Sequence, residues 1–231
     1  MTNPCIIALD VPSAKEALTL VDALGDTQGF YKVGLELYTA AGVEVVRELR
    51  QRGKEVFLDL KFYDIPETVK RAASVAAGSG ARFLTVHGSA AVVRAAKLGA
   101  EGSALEILAV TILTAFDQSD LSDLGHTRTM EDLVGHLAVK SRDAGADGLV
   151  CSPLEVSRLR PLIGPEMKLV IPGVRSAGAD SGDQKRIATP ARAIRDGADY
   201  LVIGRQVTRA AEPKAELAKI LAEITTSLVN Q

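Results

Sequence analysis

The chain has 231 residues, 47% hydrophobic and 24% charged, with 27 basic side chains against 29 acidic ones and a formal charge of -2. That balance is ordinary for a soluble globular protein, and one domain over residues 1–231 is the default expectation. Lys and Arg are scattered without a basic stripe, no apolar run approaches the roughly 20 residues of a membrane span, and Met1-Thr-Asn-Pro4 lacks a signal-peptide pattern. Nucleic-acid polymer and membrane are therefore set aside as partners, and a cytoplasmic protein is expected.

Short β-branched or apolar runs recur along the chain at residues 5–10, 30–36, 55–61, 83–87, 106–113, 148–151, 169–174 and 200–204. Between them lie amphipathic stretches at 13–24, 40–52, 66–80, 90–98, 130–144, 154–162 and 190–196, with a closing helix over 207–228. Several end in glycine, at Gly53, Gly80, Gly99, Gly145 and Gly197, the residue that best adopts the left-handed cap. Eight strand-then-helix units predict a closed parallel (β/α)8 barrel, an α/β fold of one domain. A doubly wound open sheet would show fewer strands and a Gly-rich first turn, which is absent after Asp10. Cys5 and Cys151 sit in separate apolar runs, as buried reduced thiols do.

Barrel chemistry is built at the carboxyl ends of strands, and the polar residues of this sequence fall there. Side chains two apart on a strand share a face, so Asp59 and Lys61 point together while Leu58 and Leu60 pack on the other side. Asp64 follows just past the strand, before Pro66, which suits the first position of a helix. In a partly dry pocket Asp59 and Lys61 would set each other's ionisation, as proton transfer requires; a structural ion pair at a strand end is the plainer alternative. Lys32 lies inside an apolar strand, where an ammonium needs partners, and Asp10 and Asp59 are the natural ones.

Strand seven runs into Pro172-Gly-Val-Arg175 and a Gly-, Ser- and Asp-rich segment to Lys185, too long for a minimal connector and suited to a mobile lid. Strand eight runs into Gly204-Arg205, where glycine lets backbone approach a phosphate and arginine supplies a forked grip. Thr111 and Thr114 could offer hydroxyls to a ring, although threonine in strands is usually structural. His126 and His136 have no ligand-spaced neighbours, so neither metal nor cofactor is expected, and His87 reads as a structural histidine.

Taken together, Leu9-Asp10, Lys32-Val-Gly34, Leu58-Asp-Leu-Lys-Phe-Tyr-Asp-Ile-Pro66, Val110-Thr-Ile-Leu-Thr114, Pro172-Gly-Val-Arg175, Gly182-Asp-Gln184 and Ile203-Gly-Arg205 closely resemble the bacterial orotidine 5'-phosphate decarboxylases, in order and across the whole chain. The resemblance implies decarboxylation of orotidine 5'-monophosphate to uridine 5'-monophosphate, without a metal, in UMP synthesis. It implies that Lys32, Asp59, Lys61 and Asp64 form a catalytic array, with Lys61 delivering the proton to C6. It also implies a homodimer in which Asp64 reaches into the partner's site, with Asp64, Ile65 and Thr68 at the shared site. Asp10 and Lys32 would hold the ribose hydroxyls, Thr114 the pyrimidine, Gln184 a bridge from base to phosphate, and Arg205 the phosphate. Pro172, Arg175 and Gly204 would complete the binding surface. Mg2+-dependent sugar-phosphate decarboxylases share the Asp-x-Lys-x-x-Asp block, but they resemble this chain with an acidic metal ligand where Lys32 stands, and an ammonium there repels Mg2+. A catalytically silent phosphate-binding barrel is the third reading.

Overall fold

Alternating side chains on eight short strands need a core on both faces, and only a closed barrel ringed by helices supplies it without leaving an edge. The computed structural model describes residues 3–178 and 186–229. Strands β1 (Cys5–Ala8), β2 (Phe30–Gly34), β3 (Glu55–Phe62), β4 (Phe83–His87), β5 (Glu106–Val110), β6 (Gly148–Val150), β7 (Lys168–Ile171) and β8 (Tyr200–Ile203) are parallel and pair in chain order. The barrel closes where Cys5, Ile6 and Ile7 of β1 stand opposite Leu201, Val202 and Ile203 of β8.

Helices follow each strand: α1 (Ala14–Leu24), α2 (Leu35–Ala41) and α3 (Glu44–Gln51), α4 (Pro66–Ala77), α5 (Ala90–Gly99), α6 (Gln118–Asp123) and α7 (Met130–Asp143), α8 (Val156–Ile163), α9 (Pro190–Arg195), then α10 (Arg205–Thr208) and α11 (Pro213–Val229). Two differ from the sequence expectation. The helix predicted over 40–52 is broken by Gly42, which takes a φ of 63° and ends α2 by donating its N–H to the Tyr38 carbonyl. The helix predicted over 207–228 is also two, because Pro213 lacks an N–H and disfavours helical geometry in the residue before it, so α11 starts afresh there. Loop 114–128 holds α6, opened by a capping box between Asp117 and Asp120. Strands predicted to 113 and 174 stop at Val110 and Ile171, where the chain leaves the barrel rim.

Parity along each strand sorts the core into two layers. Ile6, Ala8, Phe30, Phe57, Phe83, Leu108, Val110, Val150, Val170 and Val202 pack together inside the barrel. Their neighbours, such as Ile7, Val33, Leu58, Leu84, Ile107, Leu149, Leu169 and Ile203, pack outward against the helices. Cys5 and Cys151 are buried free thiols, and burial pushes the Cys5 thiol up to about 12 and Cys151 well above the ordinary range, so both stay protonated. Of the expected glycine caps, Gly53, Gly80, Gly145 and Gly197 have positive φ, while Gly99 serves a different purpose. A β-carbon on Gly99 would lie 2.1 Å from the Lys70 carbonyl oxygen, so its bare Cα is what lets α5 seat against α4.

At the amino-terminal end of the barrel, Arg82 ties together strand beginnings. It pairs with Glu55 at 2.5 Å and Glu106 at 3.4 Å, and donates to the Tyr200 hydroxyl at 2.9 Å, while Lys168 holds the other oxygen of Glu106 at 2.5 Å. Its guanidinium lies 5.0 to 5.5 Å from the ring centres of Phe30, Phe83 and Tyr200, a cation over an aromatic floor.

Candidate active site

The inward parity that places Ile6 and Ala8, Phe30, and Phe57 in the lumen carries on to Asp10, Lys32 and Asp59 at the carboxyl end, so the same alternation that builds the core delivers charge to its upper rim. Lys32 Nζ lies 2.9 Å from Asp10 Oδ1 and 3.5 Å from Asp59 Oδ2, and Lys61 Nζ lies 2.7 Å from Asp59 Oδ1. The four residues Asp10, Lys32, Asp59 and Lys61 thus form a chain of alternating sign. The Lys32 and Asp59 side chains are 9% and 15% exposed, against 57% for Asp10, so the middle of the array is dry and its end is wet.

Burial alone would push the Lys32 ammonium down, but Asp59 and then Asp10 outweigh it and hold it above its ordinary range. Burial alone would likewise raise Asp59, but Lys32 and Lys61 outweigh it and hold the carboxyl below the ordinary range. Both groups are therefore charged at neutral pH. Room for the first pair depends on Gly34: a β-carbon there would sit 2.9 Å from Lys32 Nζ and 3.2 Å from Asp10 Oδ1.

Lys61 stands in an irregular stretch of β3. Leu58 pairs with Leu84 and Phe62 with Val86, so Asp59, Leu60 and Lys61 stand opposite the single residue Thr85. This bulge gives Lys61 a φ of 49°, the one positive φ outside glycine among the described residues, a conformation disfavoured for a side chain with a β-carbon. Thr85, fully buried, accepts the Lys61 N–H at 2.9 Å and donates to Asp59 Oδ1 at 3.0 Å.

The other expected residues are spread around this rim. Asp64 is exposed, its carboxylate accepts the adjacent Ile65 N–H at 2.6 Å, and it makes no ion pair among the described residues. Ile65 is 67% exposed at the start of α4, where Pro66 takes the first helical position and Thr68 donates its N–H to the Ile65 carbonyl. Tyr63 is 69% exposed although its ring packs against His87, centroids 4.9 Å apart and tilted by 49°, which gives that histidine a local partner. Burial and then the Lys61 charge hold His87 below the ordinary histidine range, so it is neutral.

Thr111 is buried against the Val150 carbonyl and has a structural role, whereas Thr114 lies half-buried in the loop beyond β5. Pro172 follows β7, and Arg175 is buried, donating to the Val174 carbonyl at 2.7 Å. Gly204 caps α10, and Arg205 opens it exposed to solvent. Gln184 and the rest of the expected lid from 179 to 185 lie outside the described residues. Among the described residues no group of three His, Cys, Asp or Glu is placed to hold a metal ion.

Sequence reasoning missed Thr85, whose signal was its parity with His87 on the strand beside Asp59. It also missed the partly buried pair of Arg186 and Glu155, where Arg186 further donates to the Leu113 carbonyl and so ties the segment after β7 to the one after β5. A cavity of about 1010 Å3 opens at the opposite end of the barrel, beside Asn3, Gln28, Glu55, Arg82, Lys168 and Tyr200. Its charged groups are already paired, Glu55 with Arg82, Lys168 with Glu106 and Asp199 with Arg160, and barrel catalysis belongs to the other end.

A closed parallel barrel with alternating acids and bases at its carboxyl rim defines the chain as a (β/α)8 enzyme. Residues 3–220 match the orotidine 5'-phosphate decarboxylase / HUMPS family, and the chain belongs to it. It is similar to orotidine 5'-phosphate decarboxylase of Bradyrhizobium sp. (strain ORS 278), 52% identical over 228 residues that cover 97% of this chain and 94% of that protein. The same enzyme of Rhodopseudomonas palustris (strain BisB5) is 50% identical over 219 residues, 95% and 93% of the two chains. Among solved structures, orotidine 5'-phosphate decarboxylase from Lactobacillus acidophilus superposes with a TM-score of 0.86 at 37% identity, covering 96% of this chain and 99% of that one. An uncharacterized conserved protein from Geobacillus kaustophilus gives 0.83 at 35% identity, covering 96% and 100%.

Proposed function

We propose that this chain, as one barrel domain over residues 1–231, converts orotidine 5'-monophosphate to uridine 5'-monophosphate and CO2 without a metal ion, as a cytoplasmic homodimer in UMP biosynthesis. The observation that carries the reading is Lys61 held 2.7 Å from an ionised, largely buried Asp59 whose other oxygen faces Lys32. Loss of CO2 from C6 leaves an electron pair in the plane of the pyrimidine, where the ring π system cannot take it up. A fixed cation beside C6 is then the available stabiliser, and Lys61 supplies one, followed by the proton that completes the product. Asp59 directs the Lys61 side chain while its own negative charge faces the departing carboxylate.

Asp10 and Lys32 suit the ribose hydroxyls, and Arg205 with the Gly204 backbone suits the phosphate. Thr114, Pro172, Arg175 and Gln184 are assigned to base and lid contacts. Binding energy from the phosphate and ribose ends would position the ring, so a substrate lacking phosphate should lose turnover as well as affinity. Exposed Asp64 and Ile65, with Thr68 behind them, suit a neighbouring subunit's site better than their own, since among the described residues the Asp64 carboxylate engages only the adjacent Ile65 N–H.

The Lys32 ammonium between Asp10 and Asp59 already neutralises the carboxylates a divalent ion would need, which weighs against a Mg2+-dependent sugar-phosphate activity. The test is the ultraviolet change on mixing the protein with orotidine 5'-monophosphate, with and without EDTA. Conversion unaffected by EDTA supports the reading; loss of conversion with EDTA supports a metal enzyme, and no conversion by the folded protein supports a silent barrel. The shared site is checked by mixing Lys61→Ala with Asp64→Asn chains. Each is inactive alone, but a hybrid dimer holds one intact site, so random reassociation should restore about a quarter of wild-type activity.

A further inference from the structure

The bulge in β3 frees a backbone N–H that a regular ladder would have satisfied, and a buried donor without a partner is costly. The freed group belongs to Lys61, and its partner is a side chain, the Thr85 hydroxyl 2.9 Å away. A backbone N–H can only donate, so Thr85 Oγ1 accepts there, and its single proton is left for a second bond. Two acceptors are in reach, Asp59 Oδ1 at 3.0 Å and the Leu58 carbonyl at 3.5 Å, and the nearer one is an ionised carboxylate. The proton goes to Asp59.

We propose that Thr85 is a positioning residue of this site, its one hydroxyl fixing both the backbone from which Lys61 springs and the orientation of the Asp59 carboxylate. Thr85 Oγ1 and Lys61 Nζ meet at the same oxygen of Asp59, which leaves the other oxygen to face Lys32. The carboxylate cannot turn without breaking bonds on both sides, and Lys61 cannot relax its positive φ without giving up its amide bond. Thr85 is fully buried and touches the array from beneath, so it acts through Asp59 and Lys61.

This inference rests on the decarboxylase reading where rate is concerned, and a second readout is independent of it. Thr85→Val keeps the shape and removes the hydroxyl; Thr85→Ser keeps the hydroxyl and removes the methyl. For Thr85→Val, kcat with orotidine 5'-monophosphate should fall about 10- to 100-fold, the scale of a misplaced reacting group, with KM within about threefold. Thr85→Ser should recover to within about threefold of wild type. Hydrogen exchange at the Lys61 amide should be slow in the wild type and in Thr85→Ser, and fast in Thr85→Val while the rest of β3 stays protected.

A Thr85→Val protein with wild-type kcat and a protected Lys61 amide overturns the proposal, as does a Thr85→Ser protein as impaired as Thr85→Val, which would make the methyl the effective part. If the wild type does not convert the nucleotide, the functional reading fails, and the Lys61 amide exchange alone still decides whether Thr85 holds that backbone.

Discussion

The two ends of this barrel carry similar charge patterns and put them to different uses. At the amino end, Glu55, Arg82, Glu106 and Lys168 alternate in sign, their charges are matched within the network, and the arginine lies against three aromatic rings. At the carboxyl end, Asp10, Lys32, Asp59 and Lys61 also alternate, but Asp10 is more than half exposed and Lys61 is held in a disfavoured backbone conformation on a bulge. One network relaxes the fold it closes. The other stores strain where a ligand can arrive, and strain of that kind persists only when its surroundings over-determine it. The same alternation of charge therefore does not by itself mark a site; regular ladder geometry against a bulged strand separates the two.

The sharpest way to break this contrast is Lys61→Ala. Turnover should drop by at least about 10,000-fold, the combined scale of a lost proton donor and a lost electrostatic stabiliser, while the thermal midpoint changes little because Lys61 supports no core packing. A cooperative unfolding curve with near-normal turnover would remove Lys61 from the chemistry. Gly34→Ala comes next, since the new methyl meets Lys32 Nζ and Asp10 Oδ1 and shifts them by a fraction of an ångström. We expect kcat/KM to fall about 10- to 100-fold with stability nearly intact, measured by steady-state kinetics beside calorimetry.

Arg82→Met at the opposite end should show the reverse pattern. Losing the ion pairs and the cation over the rings costs about 2 kcal/mol and lowers the midpoint by about 4–8 °C, with kcat unchanged. A drop in kcat beyond about threefold would show that the two ends are coupled.

The smallest effect expected is that of pH. The folded Asp59 carboxyl lies below its unfolded value, so its contribution to stability is complete above about pH 4 and is lost only as pH falls through the folded value. Lys32 is raised, so its contribution is complete below about pH 10 and is lost as pH rises through the folded value. Stability owed to the array should be flat between about pH 7 and 8, above the range where His87 titrates and below that of the unfolded thiols, and a denaturation series showing a step inside that window would contradict the charge assignment.

Much of the carboxyl end could be read from the sequence, because strand parity is a local property: once residues 5–10, 30–36 and 55–61 are taken as strands, Asp10, Lys32, Asp59 and Lys61 follow onto one rim. Their mutual pairing follows from the cost of burying charge alone. The amino-terminal network was not legible, since Arg82 reads as a loop arginine until the barrel brings Tyr200 beside it from 118 positions away. Thr85 was hidden by its propensity, being a good strand former wherever it stands. The break at Gly42 was missed because the apolar pattern runs through it, and Gly99 was misread as a cap because the sequence cannot show the Lys70 carbonyl of α4 against it.

Two anions and two cations in alternation sum to no net charge, and the field of such an arrangement dies away faster with distance than that of any one of its members. Such an array acts with force only on groups seated directly against it and is almost invisible from solution. On the proposed reading, a doubly charged phosphate group would be drawn from afar by charge lying outside this array. On the proposed reading, encounter and chemistry would then be governed by separate electrostatics, one reaching outward and screened by salt over roughly 8 Å, the other confined to a few bond lengths and little affected by it.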